Sequence, residues 1–317
     1  MPTVETTGGQ VDVDELGLTL IHEHFRTTDE AGRFQFPHLY DERAEWEAAI
    51  ADANAVKGHG VQTVVEPSAM FLHRDAAFSK RIADESGLNV VLATGIYTYD
   101  HLPQVLLNRD EDGVAAIFVY EIENGIQNTG IKPAFIKCAA DAPGVTPNVE
   151  KVHRAAARAS KQTGKPIMAH SHPASGTGLE QMRIFTEEGV DPALVQIAHT
   201  GDTDDLDYIE KLLETGCWIG MDRYGLDIFL PTEKRNATVL ALLERGYADR
   251  MFLSQDFCST IDWFPREVQE YLKANEVPDW SMTFLFEQVI PSLKEGGLSD
   301  DALDQMMVEN PKRWLGS

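Results

Sequence analysis

The stretch Leu18-Thr19-Leu20-Ile21-His22-Glu23-His24 decides how this chain reads. A short apolar strand runs directly into two histidines spaced i, i+2. Alternate side chains of a strand share a face, so His22 and His24 are expected to point the same way. Two imidazoles converging at a strand end are the beginning of a metal clamp. The pattern of an apolar strand ending in a metal-competent residue then returns along the chain.

Eight apolar strands are expected, at Leu18–Ile21, Thr63–Val65, Val90–Ala93, Ala134–Ile136, Ile167–Ala169, Val195–Ala198, Trp218–Met221 and Met251–Leu253. Most are continuous apolar runs, as buried parallel strands are. Seven are followed by helix-like stretches. Glu42–Val56 has apolar residues at helical spacing, and Thr146-Pro147 opens an Ala/Lys/Arg-rich segment that stops at Gly164. Thr203-Asp204-Asp205 caps Leu206–Leu213, Glu233–Leu243 stops at Gly246, and a helix is expected from Trp280 to about Lys294. Ser299-Asp300-Asp301 caps a last short helix through Met307. Eight β/α units in 317 residues have the size of a TIM barrel, and no linker or charge block divides residues 1–317. A doubly wound sheet is the competing α/β architecture, and the missing Gly-x-Gly-x-x-Gly after the first strand weighs against it.

At the carboxyl ends of these strands stand His22 and His24, Lys137, His170, His199 and Asp256. In a barrel those ends meet on one face. Imidazoles and a carboxylate suit Zn, Co, Mn or Fe dications. The lysine is chemically odd in such a ring, because ammonium repels metal cations. Burial depresses a lysine's pKa, a neutral amine adds CO₂, and the resulting carbamate is an anionic two-oxygen donor able to bridge two metals. A hydroxide held between them is a nucleophile at neutral pH.

Together with Ala93-Thr94-Gly95-Ile96-Tyr97, Ile136-Lys137-Cys138-Ala139, Ala169-His170-Ser171-His172, Ala198-His199-Thr200-Gly201-Asp202, Gly220-Met221-Asp222-Arg223-Tyr224-Gly225, Leu253-Ser254-Gln255-Asp256 and Asn310-Pro311, the opening stretch carries a resemblance. The chain resembles the phosphotriesterase family of the amidohydrolase superfamily over nearly its whole length, and within it the phosphotriesterase-like lactonases. The resemblance implies that His22, His24 and Asp256 bind one metal and His170 and His199 the other. It implies that carboxylated Lys137 and a hydroxide bridge them, and that Asp256 takes up the proton. It also implies that Tyr97 and Arg223 contact substrate oxygens, and that the protein is a homodimer. Gln255 stands where relatives usually carry histidine, and Pro173 where alanine is more usual. By strand parity Gln255 should point away from Asp256.

A long connection, Phe257 to about Asp279, follows the last strand and is expected to lie over the site. Its Phe257, Ile261, Trp263, Phe264, Tyr271, Leu272 and Val277 would line an apolar slot, with Trp263 and Cys258 as substrate contacts. An N-acyl homoserine lactone suits that arrangement, with the ring at the metals and the alkyl chain in the loop. The expected activity is lactone hydrolysis, and so quorum quenching, with weak phosphotriesterase activity. The alternatives are a phosphotriesterase or carboxylesterase, a mononuclear amidohydrolase, and a non-catalytic ligand-binding homologue. His172 is expected off the metals, Cys138 to point away from them, and His101 at the pocket rim. His38, His59, His73 and His153 are expected to be unremarkable.

Acidic residues outnumber basic ones 51 to 27, for a net charge of −24. That balance disfavours nucleic acid and anionic membranes as partners. Cys138, Cys217 and Cys258 offer neither a disulfide framework nor a Cys-x-x-Cys knuckle. The opening residues carry no signal-like pattern, and no apolar run approaches the ~18–20 residues of a membrane span. A cytoplasmic location is therefore expected.

Overall fold

In the computed structural model, which describes residues 2–317, a short hairpin precedes the barrel: β1 (Thr3–Thr6) and β2 (Gly9–Asp12). Eight parallel strands follow: β3 (Thr19–Leu20), β4 (Thr63–Glu66), β5 (Asn89–Gly95), β6 (Phe135–Ala139), β7 (Ile167–His170), β8 (Val195–Ala198), β9 (Trp218–Met221) and β10 (Met251–Leu253). They pair in sequence order from β3 to β10. Helices pack outside them, among them α1 (Glu30–Gln35), α2 (Glu42–Gly58), α3 (Ala76–Ser86), α4 (Gln104–Leu107), α5 (Glu111–Asn124) and α6 (Pro147–Thr163). α7 (Thr177–Glu187), α8 (Leu206–Glu214) and α9 (Thr232–Glu244) complete that ring up to β10. This is a TIM barrel.

Alternation along the strands divides the core in two. Leu20, Val64, Ile136, Cys138, Ile197 and Met221 face the helices. Ile21, Val65, Val91, Phe135, Met168 and Phe252 fill the barrel. Its floor is closed by Trp314, whose ring lies 5.5 Å from Phe135 and 6.0 Å from Phe252, together with Val4, Val13 and Leu16. The hairpin that carries Val4 has no counterpart among the expected elements. Its alternation is only four residues long per strand, too short to stand out in the sequence.

The C-terminal third departs from expectation in three places. The connection after β10 is not all loop, because α10 (Arg266–Asn275) lies inside it. The helix expected from Trp280 begins later. The Trp280 indole instead donates to the Gln255 carbonyl at 3.1 Å, and the helix comprises the π-turn Leu285–Val289 and α11 (Ile290–Glu295). The last helix does not stop at Met307. It runs as α12 (Asp300–Asp304), the π-turn Gln305–Glu309 and α13 (Asn310–Leu315), which delivers Trp314 to the barrel floor. Each π-turn lies just before a proline, Pro291 or Pro311, whose missing N–H and bulky ring a regular α-helical ladder cannot hold.

The barrel closes between β3 and β10 through the segments beyond the strands. Asp256 N donates to His22 O (3.0 Å), His24 N to Phe257 O (2.7 Å) and Ser259 N to His24 O (2.9 Å). Glu23, fully buried, clasps this seam. Its Oε1 accepts from Ser254 Oγ (2.7 Å), Gln255 N (2.9 Å) and Gln255 Nε2 (3.2 Å), and its Oε2 from Phe257 N (2.9 Å). Burial pushes the Glu23 pKa up to about 8 against the pull of those donors.

Removing the clasp strands several buried donors, each costing about 1–3 kcal/mol. Glu23→Ala is therefore expected to lose about 3 kcal/mol or more in urea denaturation of the metal-free protein. A loss under about 1 kcal/mol would mean the seam closes without it.

Candidate metal centre

His22 and His24 do converge, but not as members of a strand. β3 ends at Leu20, and strict alternation beyond it would turn His22 toward the helices, on the side of Leu20. The backbone bends at Ile21 and His22, and both rings enter the barrel mouth. His199 also breaks alternation. Its neighbour Ala198 faces inward, and a left-handed backbone, φ +63°, swings the His199 ring in as well. Asp256 has φ +50°. Left-handed backbone at non-glycine residues is uncommon, and these two of the six instances present side chains to the site. Lys137 and His170 need no such device, since they follow inward-facing Phe135 and Met168 by two residues. Gly95 makes room beside Lys137. It has φ +124°, and a Cβ there would lie 1.9 Å from the Lys137 carbonyl oxygen.

Donor atoms of His22, His199 and Asp256 all lie within 4.8 Å of one another. His22 Nε2 and His24 Nε2 each stand 3.2 Å from Asp256 Oδ1, and His199 Nε2 stands 3.7 Å from Oδ2. Lys137 Nζ is 3.3 Å from His22 Nε2 and buried. The ring of His170 lies 4.5 Å from that of His199.

The opposite nitrogens fix what these atoms are. His22 Nδ1 donates to Asp222 Oδ2 (3.1 Å), and His199 Nδ1 to Asp222 Oδ1 (3.0 Å). His24 Nδ1 lies 3.1 Å from Glu66 Oε1 and 2.9 Å from Ser68 Oγ. With protons on Nδ1, three Nε2 lone pairs converge on a carboxylate. Lone pairs facing lone pairs in a buried site call for a cation between them. His170 is held the other way round. Its Nε2 donates to Asp141 Oδ2 (2.6 Å), which leaves Nδ1 as the free donor atom, 3.4 Å from the Tyr97 hydroxyl. Neutral imidazoles, a carboxylate and a buried amine are a donor set that fits divalent metal.

The charges agree. Burial, helped by Lys137, lowers the His22 pKa to about 4, and burial with Arg223 nearby takes His199 well below its usual range. Burial brings Lys137 down to about 8 despite Asp256 and Asp222. Burial opposes charge on His24 too, yet hydrogen bonds to Asp256 and Glu66 outweigh it and lift its pKa to about 9. A proton then occupies the gap that a metal would take.

Arg223 stands over the cluster. Its Nε donates to Asp256 Oδ2 (2.8 Å) and its Nη1 to Asp202 Oδ2 (2.9 Å). Fully buried Arg235 donates to the same Asp202 at 3.0 Å. The hydroxyls of Tyr97 and Tyr99 are 2.6 Å apart, and Trp263 lies 6.4 Å from Tyr97 ring to ring. From the cluster a cavity of about 770 Å³ opens outward, lined by Tyr97, Arg223, Phe229, Cys258, Trp263 and Leu272 among others. α10 forms its far wall. Cys258 also bonds Thr27 through its sulfur (3.4 Å).

The remaining expectations resolve simply. Gln255 points away from the cluster, donating to Met282 O and accepting from Leu285 N (both 2.8 Å). Cys138 faces the helices. His172 lines the cavity but is tied to Ser175 Oγ at 2.8 Å. His153 is a core residue bonded to Val149 O (2.8 Å) and Gln181 (3.0 Å). His101 packs on Phe71 and is not part of the cavity wall. The carboxylates Asp222, Asp141, Glu66 and Asp202 were assigned no role from sequence, and for Asp222 a signal was available. Inward-facing Trp218 sets a parity that Gly220 and Asp222 share.

The sequence profile of the phosphotriesterase family matches residues 2–315. The chain is 47% identical over 305 residues to an aryldialkylphosphatase of Saccharolobus solfataricus, covering 96% of each protein. It is 34% identical to a phosphotriesterase homology protein of Escherichia coli, covering 95% of this chain and 99% of that one. The solved structure of the phosphotriesterase from Mycobacterium tuberculosis superposes with a TM-score of 0.94 at 40% identity, over 99% of this chain and 98% of the other.

Metal must displace the proton that His24 holds below about pH 9. Zn²⁺ affinity of the metal-free protein is therefore expected to rise with pH between 6.5 and 9, with protons released on binding. Calorimetric titrations in buffers of different ionisation enthalpy read both. An affinity flat across that range would mean that His24 is already neutral.

Proposed function

This chain belongs to the phosphotriesterase family of the amidohydrolase superfamily, and on that premise we propose that it is a binuclear-metal lactonase whose natural substrates are N-acyl homoserine lactones. The observation that carries the reading is the continuity between the His/Asp cluster, Arg223 beside it, and an apolar cavity reaching out to α10. A compact polar ring fits the first two, and an alkyl tail fits the third.

His22, His24 and Asp256 would hold one cation, His170 and His199 the other, with carboxylated Lys137 between them and zinc the first candidate. When bound, two such ions would polarise a carbonyl and lower the pKa of a bound water. The chain supplies the rest. Tyr97 and Arg223 flank the space above the cluster, and Arg223 Nη2 is not engaged by Asp256 or Asp202. They are placed to orient the lactone carbonyl and to stabilise negative charge on its oxygen as water adds. Asp256 Oδ2 receives the proton of the attacking water and returns it to the ring oxygen as the C–O bond breaks, giving the hydroxy acid. Arg223, already on Oδ2, keeps that carboxylate aimed. Trp263, Phe229 and Leu272 exclude water along the tail.

A second reading, phosphotriester hydrolysis as the main activity, is favoured by the name of the Saccharolobus relative. The same groups would serve a tetrahedral phosphoryl centre, which is why slow turnover of organophosphates accompanies the first reading. Pairing of two copies is inferred as well. Phe34, Phe36 and Leu39, 82%, 53% and 68% exposed, leave apolar surface on one short segment for such a contact. Among the described residues no helix is long and apolar enough to cross a membrane, and we place the protein in the cytoplasm.

Two experiments test this. Hydrolysis of acyl homoserine lactones, alkyl lactones and paraoxon should rank lactones first. kcat/KM should grow with acyl length by about 0.8 kcal/mol, roughly fourfold, per methylene until the slot is full. Paraoxon ahead of every lactone would transfer the assignment to phosphotriesterase. Lysine carboxylation is read separately. Burial brings the Lys137 pKa down to about 8, so the neutral amine that takes up CO₂ is the minor form at pH 7 and the major form at pH 9. Metal loading followed by elemental analysis should therefore quicken with added bicarbonate, and should need it least at the higher pH. Loading indifferent to bicarbonate at both would leave Lys137 unmodified.

A further inference from the structure

The carboxylate of Asp222 is fully buried at the end of β9, and its two oxygens are divided between two strands' histidines. Oδ1 accepts from both His199 N (2.8 Å) and His199 Nδ1 (3.0 Å), and Oδ2 accepts from His22 Nδ1 (3.1 Å). The other two histidines have separate partners, Glu66 and Ser68 for His24 and Asp141 for His170. The backbone is cut to fit this carboxylate. A Cβ on Gly220 would come within 2.2 Å of Asp222 Oδ2, so only glycine leaves the space. Holding His199 N in addition ties the left-handed turn at His199 to the same side chain.

We propose that Asp222 is the positioning residue common to both metal sites, its Oδ2 setting the tautomer of His22 and its Oδ1 that of His199. The inference rests on the two-cation reading above. An imidazole whose Nδ1–H is held by an anion keeps its Nε2 lone pair free and more basic, and losing such a partner typically weakens metal binding 10–100-fold. Losing Asp222 reaches one ligand of each site at once.

The division of oxygens makes the inference specific. In Asp222→Asn the amide oxygen must stay at the Oδ1 position, because the His199 backbone N–H can only donate. The amide NH₂ then faces His22 Nδ1. Two donors cannot face each other, so His22 shifts its proton to Nε2 and loses the lone pair that binds metal. His199 keeps its tautomer.

The test is titration of the metal-depleted full-length protein with Co²⁺, following its visible absorption and the heat of binding. His24→Asn and His170→Asn assign the two binding phases, and circular dichroism verifies that each variant is folded. Asp222→Ala is expected to weaken both phases by 10–100-fold. Asp222→Asn is expected to weaken the phase assigned by His24→Asn and to spare the one assigned by His170→Asn. Gly220→Ala displaces the carboxylate without removing its charge. It serves if Asp222→Ala does not fold, and should weaken both phases. A wild type with fewer than two phases overturns the two-cation reading and this inference with it. Two phases in the wild type, with one or none moved by Asp222→Ala or with both moved equally by Asp222→Asn, overturn this inference alone.

Discussion

Closing the sheet is the constraint on which the rest of the molecule depends. Eight parallel strands in sequence order leave two edges, β3 and β10, that must meet. β3 is two residues long and cannot build a ladder with its partner. The joint is made instead by the chain past both strands and by the buried carboxylate of Glu23, which takes four hydrogen bonds from Ser254, Gln255 and Phe257. Glu23 stands between His22 and His24, and its partners flank Asp256. Closing the barrel and bringing two imidazoles against a carboxylate are thus one event. A barrel that closed with a different register could not form the cluster.

The same economy governs charge. The chain carries a net −24, yet its mouth gathers four imidazoles, one amine and one guanidinium around Asp256. Acidic side chains surround that group from behind: Asp222 under His22 and His199, Glu66 under His24, Asp141 beside His170, Asp202 behind Arg223. Each donor's direction is fixed by a carboxylate, Asp222 serving two of them, and the inward nitrogens are left with lone pairs for a cation. Buried carboxylates are costly unless they are hydrogen-bonded, and these are. Part of the acidic excess is therefore built into the electrostatics of the site rather than spread as solubilising surface.

Much of this was legible in the sequence, because parallel strands buried on both faces write themselves as apolar runs and their last residues stand out chemically. Lys137 and His170 could be placed by strand parity alone. His22 and His199 could not. Both lie on the outward parity, and a bend after Leu20 and a left-handed residue at 199 turn them inward. The spacing of the motif was informative while its strand geometry was not. α10 was hidden because none of its residues is buried: its few apolar side chains, Val268, Tyr271 and Leu272, face solvent or the cavity rather than the core. The run of the last helix to Leu315 was hidden by Pro311, which a π-turn accommodates. Parity marks Asp222 as inward-facing, but which histidines the supporting carboxylates hold was invisible for another reason. Glu66, Asp141 and Asp222 lie 42, 29 and 200 residues from histidines they hold, and only the closed barrel brings them together.

The division of labour between strand ends and loops follows from these different origins. The candidate metal ligands sit on strand ends or the closing seam, with backbones fixed by the barrel and the four histidines held by carboxylates behind them. The apolar side chains over the cluster, Phe229, Trp263 and Leu272, stand on the connections after β9 and β10, where half-exposed side chains cover an apolar cavity. A change there alters what enters without disturbing the charge balance beneath. Arg223 is where the two layers join. It follows Asp222 directly, reaches Asp256 with one nitrogen and Asp202 with another, and packs 4.7 Å over Phe229. Its guanidinium therefore couples the Asp256 carboxylate to the wall of the cavity. A lysine there could not serve both carboxylates in one plane, since an ammonium lacks the fork. On the lactonase reading proposed above, choice between carbonyl and phosphoryl substrates would fall to Arg223 and the loops above it.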